Sequence, residues 1–329
     1  MRRIVAGLIA AVLAVTVVGA AWVYATLFHD ASYPAQATRI VIQRGSSFGE
    51  IATLLAQNGV IGNALPFRLL AKATHADTDV HAGEYRFAPH QTANAVLTEL
   101  RTGGAQVAQW VTIPEGFTAA QIAQRMADAK ISDAAALEAT FMHDTIVAGA
   151  TRTKNLEGLL FPSTYLIPTD ASPDAIARIL TTQFQAELPK DAEAKARALH
   201  LTVPQVVTVA SLIEREAKVD SERPLMAGVY YNRLRIGMPL EVDATIEYAL
   251  PEHKTALSFK DLAIDSPYNS YKFAGLPPTP IANPGKASLD AAFAPVKTEY
   301  LYYVYKGDGH HAFAKTLAEH NANVAKYLK

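Results

Sequence analysis

The chain has 329 residues, of which 50% are hydrophobic, and its formal net charge is −1. A chain of this length is enough for about two domains with cores of their own. No stripe of basic residues is present to neutralise phosphates, which argues against nucleic acid as a partner. The absence of cysteine excludes disulfides, thiol catalysis and thiolate metal sites.

The N-terminus carries a long apolar segment. Arg2 and Arg3 precede an uncharged stretch, residues 4–28, and a transmembrane helix needs about 20 apolar residues. We therefore predict that residues 1–29 form a cytoplasmic stub and a single-pass helix. Because the arginines lie before the span, the N-terminus is expected in the cytoplasm and the rest outside a bacterial inner membrane. The alternative is a signal peptide cleaved near Ala20.

A short linker and three similar patterns follow. Residues 30–37 are small and polar and include a proline, as is typical of a linker. A strand, a turn and a capped helix are then predicted three times, over residues 41–61, 85–100 and 111–131. Three uneven units are too few for a solenoid, so we predict a small α+β module.

Helix caps support these patterns. Ser47 with Glu50 and Thr118 with Gln121 fit the capping box, whereas Thr92 lacks the acid three residues later. Capped helices after strands are common and imply no ligand. The same frame also resembles the LysM unit, which binds glycan strands, so residues 38–106 are predicted to form a LysM-like subdomain with or without a ligand.

The rest, residues 107–329, is predicted to be a larger mixed α/β domain. LEGLLFPSTYLIP, residues 156–168, reads as a buried strand or extended segment. Residues 240–285 are dense in Pro, Tyr, Asn and Ser, and their aromatic residues favour a surface cleft over a linker. LYYVYKG, residues 301–307, is predicted to be a strand before a final helix.

One helix carries an acid on its apolar face. Thr202 and Gln205 complete a capping box before a predicted helix over residues 203–218. At 100° per residue, Glu216 falls in the middle of the apolar face, four residues after Leu212.

The two acids of this helix differ. Glu214 falls on the opposite side, where a surface ion pair with Lys218 is predicted, worth about 0.2–0.5 kcal/mol. Burial of Glu216 would raise its pKa and keep it protonated, as a general acid requires. The alternative is a structural one, in which Arg233 or Arg235 forms a buried ion pair with Glu216.

No other catalytic or metal-binding pattern stands out. His310 and His311 are interpreted as solvated loop residues, and His320 lies on the final helix, with no third ligand at a recognisable metal spacing. The sequence contains neither G-x-S-x-G nor a P-loop. We therefore expect no metal and no cofactor.

Several long motifs carry a resemblance to a known family. They are ASLIEREAKVDSERPLMAGVYYNRLRIGMPLEVDATIEYAL (210–250), LEGLLFPSTY (156–165), SPYNSYKFAGLPPTPIANPG (266–285), GHHAFAKTLAEHN (309–321) and GEYRF (83–87). From about residue 40 to its end the chain resembles the endolytic murein transglycosylase family (MltG, also called YceG-like). The resemblance implies a lyase that cuts nascent peptidoglycan glycan strands internally and ends their elongation.

The resemblance also implies functional residues. The catalytic acid is the second glutamate of the E-x-E-[TA] motif, here Glu216, in agreement with the helical wheel. The positions that match motif residues of the substrate cleft are Glu157, Ser163, Tyr165, Asn232, Asp243, Tyr248, Tyr268 and Asn269. Ser163 stands where the F-P-D-T-Y version has aspartate, so no catalytic carboxylate is expected there.

A single acid is sufficient for the implied reaction. Ordinary glycosidases need two carboxylates, but in a lytic transglycosylase the C6 hydroxyl of N-acetylmuramic acid attacks its own anomeric carbon. The expected partners are glycan strands, the membrane and peptidoglycan synthases. Two alternatives stay open: a muramidase with Asp243 or Glu241 as second carboxylate, and a non-catalytic, membrane-anchored glycan-binding scaffold.

Overall fold

The computed structural model describes residues 2–28, 37–103, 106–142, 146–148, 151–153, 155–251, 254 and 257–328. All but the last residue of the predicted linker 30–37 lie outside the described residues. The chain divides into two compact units, Met1–Val111 with Tyr165–Asp170 and Thr112–Thr164 with Ala171–Lys329. The first unit thus takes in a short segment from the middle of the chain that was predicted to belong with the second.

The described residues form a mixed α and β structure, as predicted. The helices are α1 (Arg2–Phe28), α2 (Phe48–Gln57), α3 (Ala64–Ala73), α4 (Ala93–Thr102), α5 (Ala119–Asp128), α6 (Ala134–Met142), α7 (Pro173–Glu187), α8 (Ala192–Ala198), α9 (Val203–Glu216), α10 (Arg223–Arg235), α11 (Asp243–Ala249), α12 (Phe259–Leu262), α13 (Lys286–Phe293) and α14 (Leu317–Tyr327). The strands are β1 (Thr38–Ile42), β2 (Gly83–Phe87), β3 (Gln106–Thr112), β4 (Ile146–Ala148), β5 (Thr151–Thr153), β6 (Thr164–Pro168), β7 (Tyr302–Tyr305) and β8 (His311–Ala314).

Among the described residues, no single helix is long and apolar enough to cross a membrane; the apolar part of α1 is the shorter stretch Val12–Trp22. The helices α8 and α9, bent by 83° at their junction, have the length and composition of a membrane span only when they are taken together.

The first unit is built on a four-stranded sheet in the order β1-β2-β3-β6. Alternate residues of β1 and β2 point into the core, and Ile40 and Tyr85, which face each other in antiparallel register, are both buried. The helices α2 and α3 contribute Leu55 and Phe67 to the same core. The order β1-α2-α3-β2 therefore forms one packed module, in which the alternation of each strand and the apolar stripe of each helix agree.

The predicted caps are confirmed. Capping boxes are present at Ser47, Thr118 and Thr202, and Thr92 accepts a hydrogen bond from the amide of Ala95 without a box. Side chains that satisfy the free amides of a first turn act locally, which is why these helix starts were readable in the sequence.

The second unit is organised around α9. Every residue from Val206 to Ile213 is buried, because α8, α10, α11 and α13 all pack against this helix. The helix ends at Glu216, two residues earlier than predicted. Because neighbouring helices surround the middle of α9, a residue opposite its apolar face is not necessarily exposed to solvent.

The remaining segments of the second unit are mostly irregular. Residues 156–168 were predicted to form a buried strand or an extended segment; Leu160 is buried, and only the end of the segment is a strand, β6, most of which belongs to the first unit. The turn-rich segment predicted over residues 240–285 contains the short helices α11 and α12, and only its part from residue 266 to 285 has neither helix nor strand. The predicted strand over residues 301–307 is observed as β7. It pairs with β8 in an antiparallel hairpin that places Tyr303 opposite Phe313.

Candidate active site

Glu216 lies at the last turn of α9, where the buried helix ends and the chain turns away at Ala217. The residue keeps partial solvent exposure. Burial raises the pKa of Glu216 to about 7, and the negative charge of Asp243 contributes in the same direction. A buried carboxyl of a partly exposed residue, protonated up to about neutral pH, has the protonation state that a general acid needs.

Three groups favour the ionised form of Glu216. The Tyr303 hydroxyl donates to its Oε2 over 3.2 Å, and the positive charge of Lys218 and the backbone amide of Ala244 also lower the pKa of Glu216. These groups are weaker than the burial they oppose, so the raised pKa persists. The carboxyl therefore has support for both of its protonation states, which an acid that later acts as a base requires.

The structural alternative, an arginine against Glu216, is not found among the described residues. Arg233 donates through Nη1 to Glu241 Oε2 (3.0 Å) and through Nε to the carbonyl of Leu301 (2.6 Å). Arg235 donates to the amide oxygen of Asn232.

Glu214 is buried in the structure, unlike the surface position predicted for it. Its side chain is only 7% exposed; its Oε1 lies 3.6 Å from Arg223 Nη1, and its Oε2 accepts from the amide of Gly285 over 2.9 Å. The predicted surface pair with Lys218 is therefore wrong. The wheel assumed a solvent side for α9, but Arg223 at the start of α10 and Gly285 before α13 cover that side.

Asp243 and Tyr271 stand beside Glu216. Asp243 is exposed at the start of α11 and accepts a hydrogen bond from the Tyr271 hydroxyl over 2.5 Å. The charges of Asp243 and Glu216 both raise the pKa of Tyr271 after burial does, which places the three groups in one neighbourhood. Of the predicted cleft residues, Asp243 is thus brought to Glu216 by the structure.

Glu157, Tyr248 and Tyr268 form a second cluster in the same unit. Glu157 is 3% exposed and accepts from the amide of Ala119, the Asn283 side chain and the Tyr248 hydroxyl at 2.9–3.2 Å. The rings of Tyr248 and Tyr268 lie 4.9 Å apart. Burial raises the pKa of Glu157 to about 7, even though all of these donors oppose the rise.

Two predicted substrate amides are occupied by the protein itself. Asn232 donates to two backbone carbonyls before β7, at 2.9 and 3.0 Å, and accepts from Arg235. Asn269 is fully buried, donates to two carbonyls at and just after the end of α12, and accepts from the amides of Tyr271 and Lys272. Both amides therefore hold backbone segments in place.

Ser163 and Tyr165 lie close together in sequence but fall in different units. Ser163 is half-buried, and its carbonyl accepts from the amide of Ile113 over 2.8 Å. Tyr165 is 8% exposed on β6 of the first unit.

The histidines near the C-terminus surround an acid. Glu222 accepts from Nδ1 of His311 at 2.7 Å, and Nδ1 of His310 lies 3.2 Å from its other oxygen. His311 is 8% exposed on β8 and so is not the solvated loop residue that was predicted, because Glu222 and neighbouring aromatic rings enclose it. Within the described ranges, no group of three or more histidine, cysteine, aspartate or glutamate side chains could hold a metal ion.

Sequence reasoning missed three tyrosines of this site, namely Tyr230, Tyr271 and Tyr303. Tyr271 lies within residues 240–285, whose aromatic residues favoured a cleft, and Tyr303 lies in LYYVYKG, which was predicted only as a strand. Nothing in the sequence showed which ring of each segment would point toward Glu216, because that depends on the packing of distant elements.

The chain is similar to known proteins over most of its length. The sequence profile of the YceG-like family matches residues 40–326. A Bacillus subtilis protein named endolytic murein transglycosylase is 37% identical over 338 residues, covering 95% of this chain and 91% of that protein. A Streptococcus pneumoniae protein of the same name is 31% identical over 320 residues, covering 87% of this chain and 58% of that protein.

The fold is also found in a solved structure. The crystal structure of a yceG-like protein from Listeria monocytogenes matches with a TM-score of 0.62 and 32% identity, over 88% of this chain and 99% of that one. The sequence profile and these relatives lead to one conclusion: the chain belongs to the YceG-like family.

Proposed function

We propose that this protein is an endolytic lytic transglycosylase that cleaves the MurNAc–GlcNAc bond within nascent peptidoglycan strands, with Glu216 as its catalytic acid. The relatives' name supports the reaction. One observation supports the choice of this residue: Glu216 keeps partial exposure at the end of α9, yet burial raises its pKa to about 7.

The proposed reaction uses Glu216 twice. Its proton passes to the glycosidic oxygen as the bond from that oxygen to the anomeric carbon breaks. The C6 hydroxyl of the same muramic acid then bonds to the anomeric carbon and returns its proton to the Glu216 carboxylate. The products are a 1,6-anhydromuramyl end and a free hydroxyl on the other fragment. No water is consumed and the acid is regenerated.

Asp243 has an electrostatic part in this scheme. Its negative charge raises the pKa of Glu216, which keeps the acid protonated before the reaction. The same charge stabilises the positive anomeric carbon that develops in the transition state. The Tyr271 hydroxyl bonded to Asp243 holds that carboxylate in place.

The other predicted cleft residues divide into two groups. The half-buried rings of Tyr248 and Tyr268, together with the half-buried Ser163, are proposed as substrate contacts. Glu157, Asn232 and Asn269 are proposed to shape the unit instead, because their polar atoms already bond to protein groups. Tyr165 is buried in the first unit and is proposed to act in packing there.

The first unit suggests a location and a second glycan contact. We propose that α1 anchors the protein in a bacterial inner membrane, with the N-terminus cytoplasmic and the catalytic domain outside, near peptidoglycan synthases. The order β1-α2-α3-β2 supports a LysM-like subdomain within residues 38–106. A groove of about 600 Å³ beside β1 and α2 includes Gln43, Glu50 and Arg68, whose polar groups suit a sugar chain.

The test is the chemistry of the new ends. Purified glycan strands are digested with the wild-type protein and with Glu216→Gln, and the products are analysed by mass spectrometry. The proposal expects anhydromuramyl ends from wild type and almost none from the variant. Reducing ends would indicate a muramidase. A Glu216→Gln variant that keeps full biological function would indicate a glycan-binding scaffold.

A further inference from the structure

The C-terminal hairpin supplies a hydroxyl to the proposed catalytic acid. Tyr303 on β7 lies 87 residues beyond Glu216 and donates to its Oε2 over 3.2 Å. The Tyr303 oxygen also lies 2.9 Å from the hydroxyl of Tyr230, which is fully buried on α10. The two hydroxyls therefore form a short hydrogen-bonded chain that ends on one carboxyl oxygen.

The chemistry of these groups fixes the direction of the chain. An ionised carboxylate only accepts hydrogen bonds, so Tyr303 must donate to Glu216 when that acid has lost its proton. The Tyr303 oxygen is then free to accept the proton of Tyr230. Burial raises the pKa of both tyrosines well above the ordinary value, so both hydroxyls stay protonated while Glu216 titrates.

Side chains before and within α10 hold the hairpin in position. Arg233 donates to the carbonyl of Leu301 over 2.6 Å, and Asn232 donates to the carbonyl of Tyr300 over 3.0 Å. On the neighbouring strand, Glu222 accepts from the backbone amide of His311 over 3.1 Å. Backbone contacts just before β7 and at the start of β8 thus fix where the Tyr303 hydroxyl meets the acid.

The ring of Tyr303 has little freedom. It meets the ring of Tyr230 edge-on with centroids 6.1 Å apart, and the ring of His311 edge-on at 5.6 Å. Edge-to-face aromatic contacts at such distances are attractive and orient the rings. The hydroxyl is therefore placed by packing as well as by the backbone.

We propose that Tyr303, oriented by Tyr230, is a positioning residue for Glu216. It holds Oε2 so that the other carboxyl oxygen faces the substrate, and it stabilises the carboxylate that forms once the proton has left. The inference rests on the proposed function, since it takes Glu216 as the acid. On this inference the hairpin β7–β8, which Asn232 and Arg233 hold in place, supports catalysis indirectly by positioning Tyr303 against Glu216.

The inference predicts an unusual pH dependence for Tyr303→Phe. Of the groups that face Glu216, Asp243 raises its pKa, whereas Lys218, the amide of Ala244 and Tyr303 lower it. Removing the Tyr303 hydroxyl deletes a donor to the charged form, so the pKa of Glu216 rises and the alkaline fall in activity moves to higher pH. The turnover number at acidic pH is expected to fall about tenfold, and the loss shrinks as pH rises.

Tyr231 offers a matched control. It follows Tyr230 on α10, and its hydroxyl donates over 2.7 Å to the carbonyl of Ala292, away from Glu216. Tyr231→Phe therefore removes a hydroxyl from the same helix without touching the acid. It is expected to lower thermal stability slightly and to leave the pH profile where it is in wild type.

The experiment measures strand cleavage by the full chain from pH 5 to 9 for wild type, Tyr303→Phe, Tyr230→Phe and Tyr231→Phe. Tyr230→Phe keeps the Tyr303 hydroxyl and is expected to shift the profile in the same direction by a smaller amount. A Tyr303→Phe profile that coincides with that of Tyr231→Phe overturns the inference. If Tyr303→Phe does not fold, Tyr230→Phe decides, and an unmoved profile again overturns it.

These outcomes are separate from a failure of the proposed function. A wild-type protein that releases no anhydromuramyl ends refutes the proposed reaction, whatever the tyrosine variants do. A wild-type protein that releases them while Tyr303→Phe behaves like Tyr231→Phe refutes only the role of Tyr303.

Discussion

Two buried acids of the second unit, Glu157 and Glu216, invite comparison because burial raises the pKa of each to about 7. Their surroundings differ. Both oxygens of Glu157 are filled by protein donors, and the residue is 3% exposed. Glu216 accepts from Tyr303 on Oε2, stands beside the negative charge of Asp243 and keeps partial exposure.

The difference shows that a raised pKa alone does not identify a catalytic acid. Buried structural carboxyls shift in the same direction as catalytic ones. Glu157 connects the start of α5, the side chain of Asn283 and the hydroxyl of Tyr248, so its oxygens have no capacity left for a substrate. Partial exposure of the residue, the neighbouring charge of Asp243 and fewer protein donors on the carboxyl, rather than the pKa, distinguish Glu216.

The largest expected effect is on catalysis. Glu216→Gln should lower the rate of strand cleavage about 10³-fold, because an amide cannot transfer the proton. Glu157→Gln is the matched control: its amide oxygen still accepts from Ala119 and Asn283, and its NH₂ group can donate to the hydroxyl of Tyr248. Initial rates of glycan release measure both. An equal loss of rate in Glu157→Gln would contradict the assignment of catalysis to Glu216 alone.

The order reverses for stability. Glu157→Ala leaves the amide of Ala119, the Asn283 side chain and the Tyr248 hydroxyl without their acceptor, so it should cost about 4 kcal/mol. Glu216→Ala removes fewer hydrogen bonds and should cost about 1 kcal/mol. Urea unfolding monitored by circular dichroism compares the two. A larger loss in Glu216→Ala would contradict the structural role given to Glu157.

Both acids should make stability depend on pH in the same way. Below the ordinary value of 4.5 each acid is protonated in the folded and the unfolded chain. Between that value and the folded-state pKa of about 7, only the unfolded chain releases its proton, so stability falls as pH rises. Each acid should contribute about 3 kcal/mol to this fall.

The two glutamine variants test this linkage. Glu157→Gln and Glu216→Gln should each lose less stability than wild type between pH 5 and pH 8, and by similar amounts. Thermal unfolding at the two pH values is the measurement. A wild-type slope retained in full by either variant would mean that the replaced acid is ionised in the folded protein throughout.

The smallest expected effect concerns Glu214. Glu214→Gln weakens the buried contact with Arg223 and should cost about 2 kcal/mol of stability without moving the pH profile of cleavage. Asp220→Asn is the control, because Asp220 also bonds to Arg223 (2.9 Å) but is 79% exposed, and it should cost about 0.5 kcal/mol or less. Chemical denaturation of both variants is the measurement. A larger loss of stability in Asp220→Asn than in Glu214→Gln would contradict the importance of the buried contact between Glu214 and Arg223.

Local features of this fold were readable in the sequence. The capping boxes at Ser47, Thr118 and Thr202 depend on residues three positions apart, and the apolar spacing of α9 depends on one helix period. The same spacing correctly placed Glu216 against the core. Each of these inferences used only neighbours within two turns of the chain.

Tertiary contacts were not readable in this way. Glu214 was expected at the surface, but Arg223 of the next helix covers it. Tyr303 was predicted only as part of a strand, and its hydroxyl reaches Glu216 because Arg233 and Asn232 hold that strand from α10.

Family motifs in this chain also serve to hold segments together. Gly158 of LEGLLFP has a φ of +85°, and a Cβ there would lie 2.4 Å from Pro280 of PPTPIANPG. The amide of Leu160 donates to Asn283 over 2.8 Å in the same contact. A motif match thus predicted which segments matter, but it could not separate residues that touch substrate from residues that join two segments.

The pH profile of strand cleavage by wild type and Glu157→Gln tests the assignment of Glu216 most directly. Two acids share a pKa of about 7, so the wild-type profile alone cannot say which of them governs activity. We predict that kcat/KM falls as pH rises through about 7 in wild type, and that Glu157→Gln shows the same fall at the same pH. A fall that disappears in Glu157→Gln would contradict the assignment of Glu216 as the catalytic acid.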